Sequence, residues 1–206
     1  MIRSTRLRLV LALGAAAVVL AGAAATALVL RGERSEAYRG SPPPPGIELP
    51  DFALPDQDGT IVSSRSLRGR VIVLTFLDTQ CTESCPIIAA VIGRALGRLT
   101  AEERAQVAAL AISTDPAEDT PTSVREFLER HRAEGRLRYL VAPEASLRPL
   151  WNALQIAVSL DTGDDSLHSA PVRIYDRAGE WVSTQHAGAD LSTENLAADI
   201  RSTLGQ

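Results

Sequence analysis

Cys81 and Cys85 are the only thiols in 206 residues, and the chemistry available to this chain starts with them. They stand four apart in a polar turn, between the apolar run Val71 to Leu77 and an amphipathic stretch opened by Pro86. A thiol at a helix start meets free backbone N–H groups and the positive end of the macrodipole, which favours the thiolate. Thiolates exchange disulfides and bind soft metals. Side chains at i and i+4 of a helical turn place their Cβ atoms about 5 to 6 Å apart. A disulfide prefers about 3.5 to 4.5 Å, so a modest adjustment of the turn lets the pair bridge. Reduced, the two sulfurs can share one metal ion, at about 2.3 Å per bond for an ion such as zinc. The plainer alternatives are a static bridge or two unrelated core cysteines. Against these, the polar residues Thr82, Glu83 and Ser84 between the sulfurs argue for access.

The elements around the pair follow from periodicity. Val71 to Leu77 is β-branched and nearly continuous, as strands buried on both faces are. Ile88, Val91, Ile92, Ala95, Leu96 and Leu99 form a single helical stripe. Val107 to Ile112 reads as a second buried strand, which completes a right-handed βαβ unit with parallel strands. Thr120-Pro121 opens another helix with proline in its first position. A short strand is expected over Arg138 to Val141, a helix over Ala145 to Leu154, and a short extended segment over Ile156 to Leu160. The polar loop Asp161 to Ser166 precedes His168. Pro171 to Tyr175 and Trp181 to Thr184 flank Asp176 to Gly179 as a closing hairpin, and a last helix starts at Ser192 with Leu191 and Leu196 spaced as a hydrophobic staple. Upstream, Asp56-Gln57-Asp58-Gly59 between Phe52 to Leu54 and Ile61-Val62 predicts a further hairpin. The plan is α/β and thioredoxin-like, with an extra N-terminal β-hairpin.

Composition bounds the rest. An apolar content of 45% and a net charge of −4 are those of a globular chain and give no nucleic-acid signature. All 21 basic residues are arginine, a coding bias rather than a functional signal. Two cysteines make no disulfide scaffold, so the core must carry the fold. Behind a basic N-terminus (1–8), residues 9–30 carry no charge and span roughly 33 Å as a helix, the length of a single transmembrane anchor. A cleaved signal peptide is the competing reading, with small-residue sites between Ala21 and Ala27. Ala23 stands where a lipidated cysteine would be. Residues 31–45 are charged, then proline-rich, and are expected to form an extended linker to a domain over 46–206.

Three segments together resemble one family. Thr75 to Pro86 contains Cys81-Thr-Glu-Ser-Cys85-Pro86, similar to the C-x-x-x-C-P motif of the SCO/SenC proteins, copper chaperones of cytochrome c oxidase assembly. Asp115-Pro116-Ala-Glu-Asp119-Thr-Pro121 resembles that family's D-P-x-x-D-T-P segment, and His168-Ser169 its metal-binding histidine before the closing hairpin. The resemblance runs from about Phe52 to Leu204. It implies a thioredoxin-like domain, tethered to the cell membrane by one span and facing outward, that holds one copper through Cys81, Cys85 and His168. The implied acceptor is the binuclear copper centre of cytochrome c oxidase subunit II or another copper-site protein. Two thiolates and an imidazole suit Cu(I), which accepts three ligands. Many members carry proline after the first cysteine and an acidic residue before the histidine. This chain has Thr82 and Leu167 there, and the second departure bears more on Cu(II) than on Cu(I).

Other candidates are weaker in kind. His131 lies on an apolar helix face and reads as a core-boundary residue, and His186 follows the last hairpin strand and reads as surface. Asp115 and Asp119 read as turn and capping groups that shape the loop beside the cysteines, and Trp151 and Trp181 as core or rim. A thiol-disulfide oxidoreductase, with Cys81 attacking and Cys85 resolving, is the competing function. Peroxide reduction finds the Thr82-x-x-Cys85 spacing but Asp78 in place of the proline that chemistry expects.

Overall fold

The structure is a computed structural model that describes residues 38–44, 47–158 and 170–205. The expected membrane span 9–30 and His168 both lie outside the described residues. Among the described residues no helix is long and apolar enough to cross a membrane. A small hairpin, β1 (Ala53–Pro55) and β2 (Ile61–Ser63), pairs Leu54 with Val62, and Gly59 supplies the positive φ of +78° that its turn requires. A 3-10 turn over Ser64–Leu67 leads into the main sheet.

That sheet has five strands: β3 (Val71–Leu77), β4 (Val107–Ser113), β5 (Arg138–Leu140), β6 (Val172–Tyr175) and β7 (Trp181–Gln185), in the order β5-β4-β3-β6-β7. β3 runs parallel to β4 over its whole length, Val71 opposite Val107 and Leu77 opposite Ser113, and antiparallel to β6. The helices are α1 (Ser84–Gly97), α2 (Ala101–Ala105), α3 (Pro121–Arg130), α4 (Glu144–Ala153) and α5 (Thr193–Leu204). The two-residue period of the strands divides the core into two layers. Val71, Val73 and Leu77 face the side holding Ile88 and Ile92 of α1, Phe127 of α3 and Ile200 of α5. Ile72, Leu74 and Phe76 face the side holding Leu150 and Trp151 of α4 together with the small hairpin. Arg173 is buried on that second side between the rings of Phe76 and Trp181, its Nη1 donating to the Leu154 carbonyl at 2.7 Å.

Several boundaries differ from those the sequence predicts. α1 begins at Ser84, ahead of Pro86, so Cys85 lies within its first turn. Proline is accommodated there because the first four N–H groups of a helix have no intrahelical acceptor. α2 buries no side chain and so leaves no apolar stripe in the sequence. Its signal is the capping box in which Thr100 accepts from the Glu103 N–H while Glu103 accepts from Thr100 N–H. Ile156 to Val158 form no strand, and residues 159–160 lie outside the described set.

The largest departure concerns the expected linker. The compact unit starts at Tyr38, ahead of Gly46. Ser41 pairs with Thr184 of β7 through two backbone hydrogen bonds, at 2.8 and 3.0 Å, and Glu48 bridges Glu180, the residue just before that strand. The fully buried Asp199 of α5 anchors the arm. Its carboxylate accepts the N–H groups of Arg39 (2.7 Å) and Gly40 (3.1 Å), the Ser183 hydroxyl (2.7 Å) and the Gln185 amide (2.8 Å). A Cβ on Gly40 would stand 2.4 Å from Ser183 Oγ, so the arm seats only with glycine there. Proline-rich composition reports an extended backbone, and that backbone is laid against β7.

Candidate metal centre

The site forms where β3 hands over to α1. β3 ends at Leu77, whose carbonyl accepts both the N–H (2.9 Å) and the hydroxyl (3.0 Å) of Thr114. The chain then turns through Asp78 to Glu83. Asp78 is buried, and its carboxylate accepts the Gln80 N–H at 2.7 Å. Asp119 takes the Thr79 N–H at 2.9 Å and, on its other oxygen, the hydroxyls of Ser113 (2.6 Å) and Tyr139 (2.8 Å). Burial raises the Asp119 carboxyl, opposed by these donors, and drives the Tyr139 hydroxyl well above its ordinary range. Trp151 braces the same corner, its Nε1 donating to the Ser113 carbonyl at 3.0 Å.

Neither cysteine is in a disulfide; Cys81 is half-buried and Cys85 fully buried in the α1 layer of the core. They are not equivalent. The Cys85 thiol donates to the Cys81 sulfur and lowers the Cys81 pKa to about 5, assisted by the backbone N–H groups of Cys85 and Glu83 and by Ser84, against the opposing effect of burial. Cys85 is pushed up, first by its role as donor to Cys81 and then by burial. The pair is thus one thiolate held by one thiol at a helix N-terminus. The rate of single-hit alkylation at Cys81 is expected to stay flat from pH 8 down to about 6 and to fall as pH drops through about 5, because only the thiolate reacts. Mass mapping after brief iodoacetamide exposure checks this, and a rate still climbing between pH 7 and 9 would contradict the asymmetry.

Among the described residues no group of three or more His, Cys, Asp and Glu side chains could hold a metal ion. His131 caps the end of α3 with its ring 4.6 Å from the Phe127 ring, edge-on, as expected of a core-boundary residue. His186 is exposed after β7, its N–H donating to Asp190. Neither joins the sulfurs in such a group. Leu74 of β3 lies opposite Arg173 of β6, so Ala170 and Pro171 enter the sheet at the end from which the cysteine turn leaves. Ala170 and Cys81 pack against the same core layer. Sequence reasoning did not single out Tyr139 or Ser113, whose roles depend on strands brought together from distant segments.

A central β3 flanked by a parallel and an antiparallel neighbour, with a dithiol at its first strand-to-helix turn, defines a thioredoxin-like protein. Known proteins narrow the class. The chain belongs to the SCO1/SenC family, whose model matches residues 42–205. A Stutzerimonas stutzeri protein named for copper binding is 36% identical over 85 residues, a match spanning 41% of this chain and 42% of that protein's length. The copper-bound structure of Bradyrhizobium japonicum ScoI is 27% identical, with a TM-score of 0.65 over 77% of this chain and 99% of that one. BsSco, described as having a disulfide switch and as a member of a family of cytochrome c oxidase assembly proteins, shares the fold, with 22% identity and a TM-score of 0.66 over 78% of this chain and 95% of that one.

Proposed function

We propose that this chain is a copper chaperone of the cell membrane: a single-pass anchor over residues 9–30, the folded domain on the extracytoplasmic side, and one Cu(I) held by Cys81, Cys85 and His168. The observation that carries the reading is the pair of cysteines, neither in a disulfide, at the turn between β3 and α1. Hydrogen bonds hold the Cys81 thiol well below its ordinary range, and Cys85, pushed up by its donation to Cys81 and by burial, would give up its proton as the metal binds. Two such sulfurs are a soft donor pair suited to Cu(I), and an imidazole completes three-coordination. His168 is the candidate third ligand because His168-Ser169 resembles the metal-binding histidine of the family; the chain just after it, at Ala170, reaches the cysteine end of the sheet, and neither His131 nor His186 joins the sulfurs in a metal-holding group. The half-buried Cys81 meets an acceptor first. A thiolate of the acceptor displaces Cys81 from the metal, and the buried Cys85 releases it last. The binuclear copper centre of cytochrome c oxidase subunit II is the acceptor this reading assigns.

Cu(I) titration of the full chain in detergent against a competing chelator tests it. One copper per chain is expected, with His168→Ala weakening the affinity tenfold or more, about 1.4 kcal/mol. Loss of copper binding in the wild type, or indifference to His168, overturns the three-ligand site.

The asymmetry of the two thiols favours one second reading, a thiol-disulfide oxidoreductase acting on a partner's cysteines. The Cys81 thiolate would attack the partner disulfide, forming a mixed disulfide and expelling one partner thiolate. Cys85, losing its proton to solvent, would attack the Cys81 sulfur, closing the Cys81–Cys85 disulfide and releasing the second partner thiolate. Two electrons pass to the partner, and no histidine is required. Retention of this activity in His168→Ala alongside weakened copper binding would separate the two roles.

A further inference from the structure

Asp119 is 1% exposed, yet it is not the cap of the helix it precedes. That role belongs to Thr120, whose side chain accepts the Ser123 N–H at 3.1 Å. The Asp119 carboxylate instead joins the ends of three strands. Oδ2 accepts the hydroxyls of Ser113, the last residue of β4, and of Tyr139 in β5. Oδ1 accepts the N–H of Thr79, just past the end of β3 and two positions before Cys81. No cation pairs with it among the described residues, and its hydrogen bonding is spent on these donors together with the Thr79 side chain.

We propose that Asp119 is a positioning residue for the Cys81–Cys85 pair: by holding the Thr79 N–H against the ends of β4 and β5, it fixes where the turn leaves β3 and where the Cys81 sulfur stands relative to Cys85 and the start of α1. The reduced pair depends on that placement, since the Cys85 thiol and the N–H groups of Cys85 and Glu83 must all converge on one sulfur. A buried carboxylate with its acceptor positions filled by donors from several segments is rigid in a way that an exposed turn is not. The inference rests on the Cys81–Cys85 pair being the working site of the proposed function, but not on its metal.

The test is the equilibrium of the full chain with glutathione, in which the dithiol and one oxidised glutathione give the Cys81–Cys85 disulfide and two reduced glutathiones. Asp119→Ala is expected to shift this equilibrium toward the disulfide fivefold or more, because a turn released at Thr79 no longer holds the sulfurs in their reduced arrangement. Cu(I) affinity is expected to fall tenfold or more in the same variant. Asp119→Asn keeps an oxygen for the Thr79 N–H, and the Ser113 and Tyr139 hydroxyls can rotate to accept from its amide. It is expected to remain within twofold of wild type in both measurements even where its melting temperature drops. If Asp119→Ala does not fold, Asp119→Ser, whose hydroxyl falls short of Thr79, takes its place with the same expected shift.

A folded Ala or Ser variant at the wild-type equilibrium overturns the proposal, as does an Asn variant displaced as far as Ala. A wild-type chain that binds no Cu(I) overturns the copper reading instead, and the glutathione equilibrium then decides the role of Asp119 on its own.

Discussion

Cys85→Ser is expected to lower the Cu(I) affinity of the reduced chain at least a thousandfold, about 4 kcal/mol, while leaving Cys81 reactive toward alkylation. The two outcomes separate because the Cys85 side chain has two tasks. As a metal ligand it must become a soft thiolate, and a serine hydroxyl does not ionise at neutral pH and offers only a hard oxygen. As the donor that stabilises the Cys81 thiolate it needs only a proton directed at that sulfur, which serine retains. Cys81→Ser removes both properties at once, since the low-pKa sulfur is the one lost. Chelator competition and timed alkylation on the two variants distinguish these cases. Copper affinity of Cys85→Ser within tenfold of wild type would show that the buried sulfur is not a ligand.

Asp199→Ala carries the second large effect, on stability. Its carboxylate is fully buried and satisfies four donors, two from the arm at Arg39 and Gly40 and two from Ser183 and Gln185 of β7. Each buried donor left unpaired costs about 1 to 3 kcal/mol, and water entering the space recovers part of this. A loss of about 3 to 5 kcal/mol in urea unfolding is expected, with no change in Cys81 alkylation, because the cluster lies on α5 and β7 rather than at the cysteine turn. A loss below about 1 kcal/mol would mean that the arm contributes little to the fold.

These two sites also show what could be read ahead of the structure. β3, β4 and the α1 stripe were legible because burial on both faces of a strand and on one face of a helix leaves a periodic record, and Val71 to Leu77 and Ile88 to Leu96 carry it without interruption. The cysteines were legible because their type and spacing restrict their chemistry whatever the surrounding contacts. The Asp119 network was legible only as a turn group. Its donors sit 40, 20 and 6 positions away in the chain, and no local pattern marks Thr79 N–H, Tyr139 OH or Ser113 OH as converging. The segment before Gly46 departs from a free linker for a similar reason. Composition specifies that Pro42 to Pro44 are extended, but whether an extended chain finds a strand to lie on depends on Asp199, more than 150 residues later.

That arm has a consequence for how the molecule meets others. An open sheet ordinarily ends in strands whose unpaired N–H and C=O groups can recruit a strand from another chain. Here the arm bridges the outer side of β7 at Thr184 and meets the chain again at Glu180 just ahead of it, and Pro42, Pro43 and Pro44 offer no N–H to a further strand. At the opposite margin β5 has only three residues, Leu140 is bridged by Asp56, and the Val141 N–H donates to the Pro55 carbonyl at 3.1 Å. Both margins of the five-stranded sheet therefore carry bridges from the chain's own backbone. Self-association by strand addition is suppressed at these margins, and a partner approaching the domain is left to engage it through side chains and loops, among which the turn carrying Cys81 is the one with reactive chemistry.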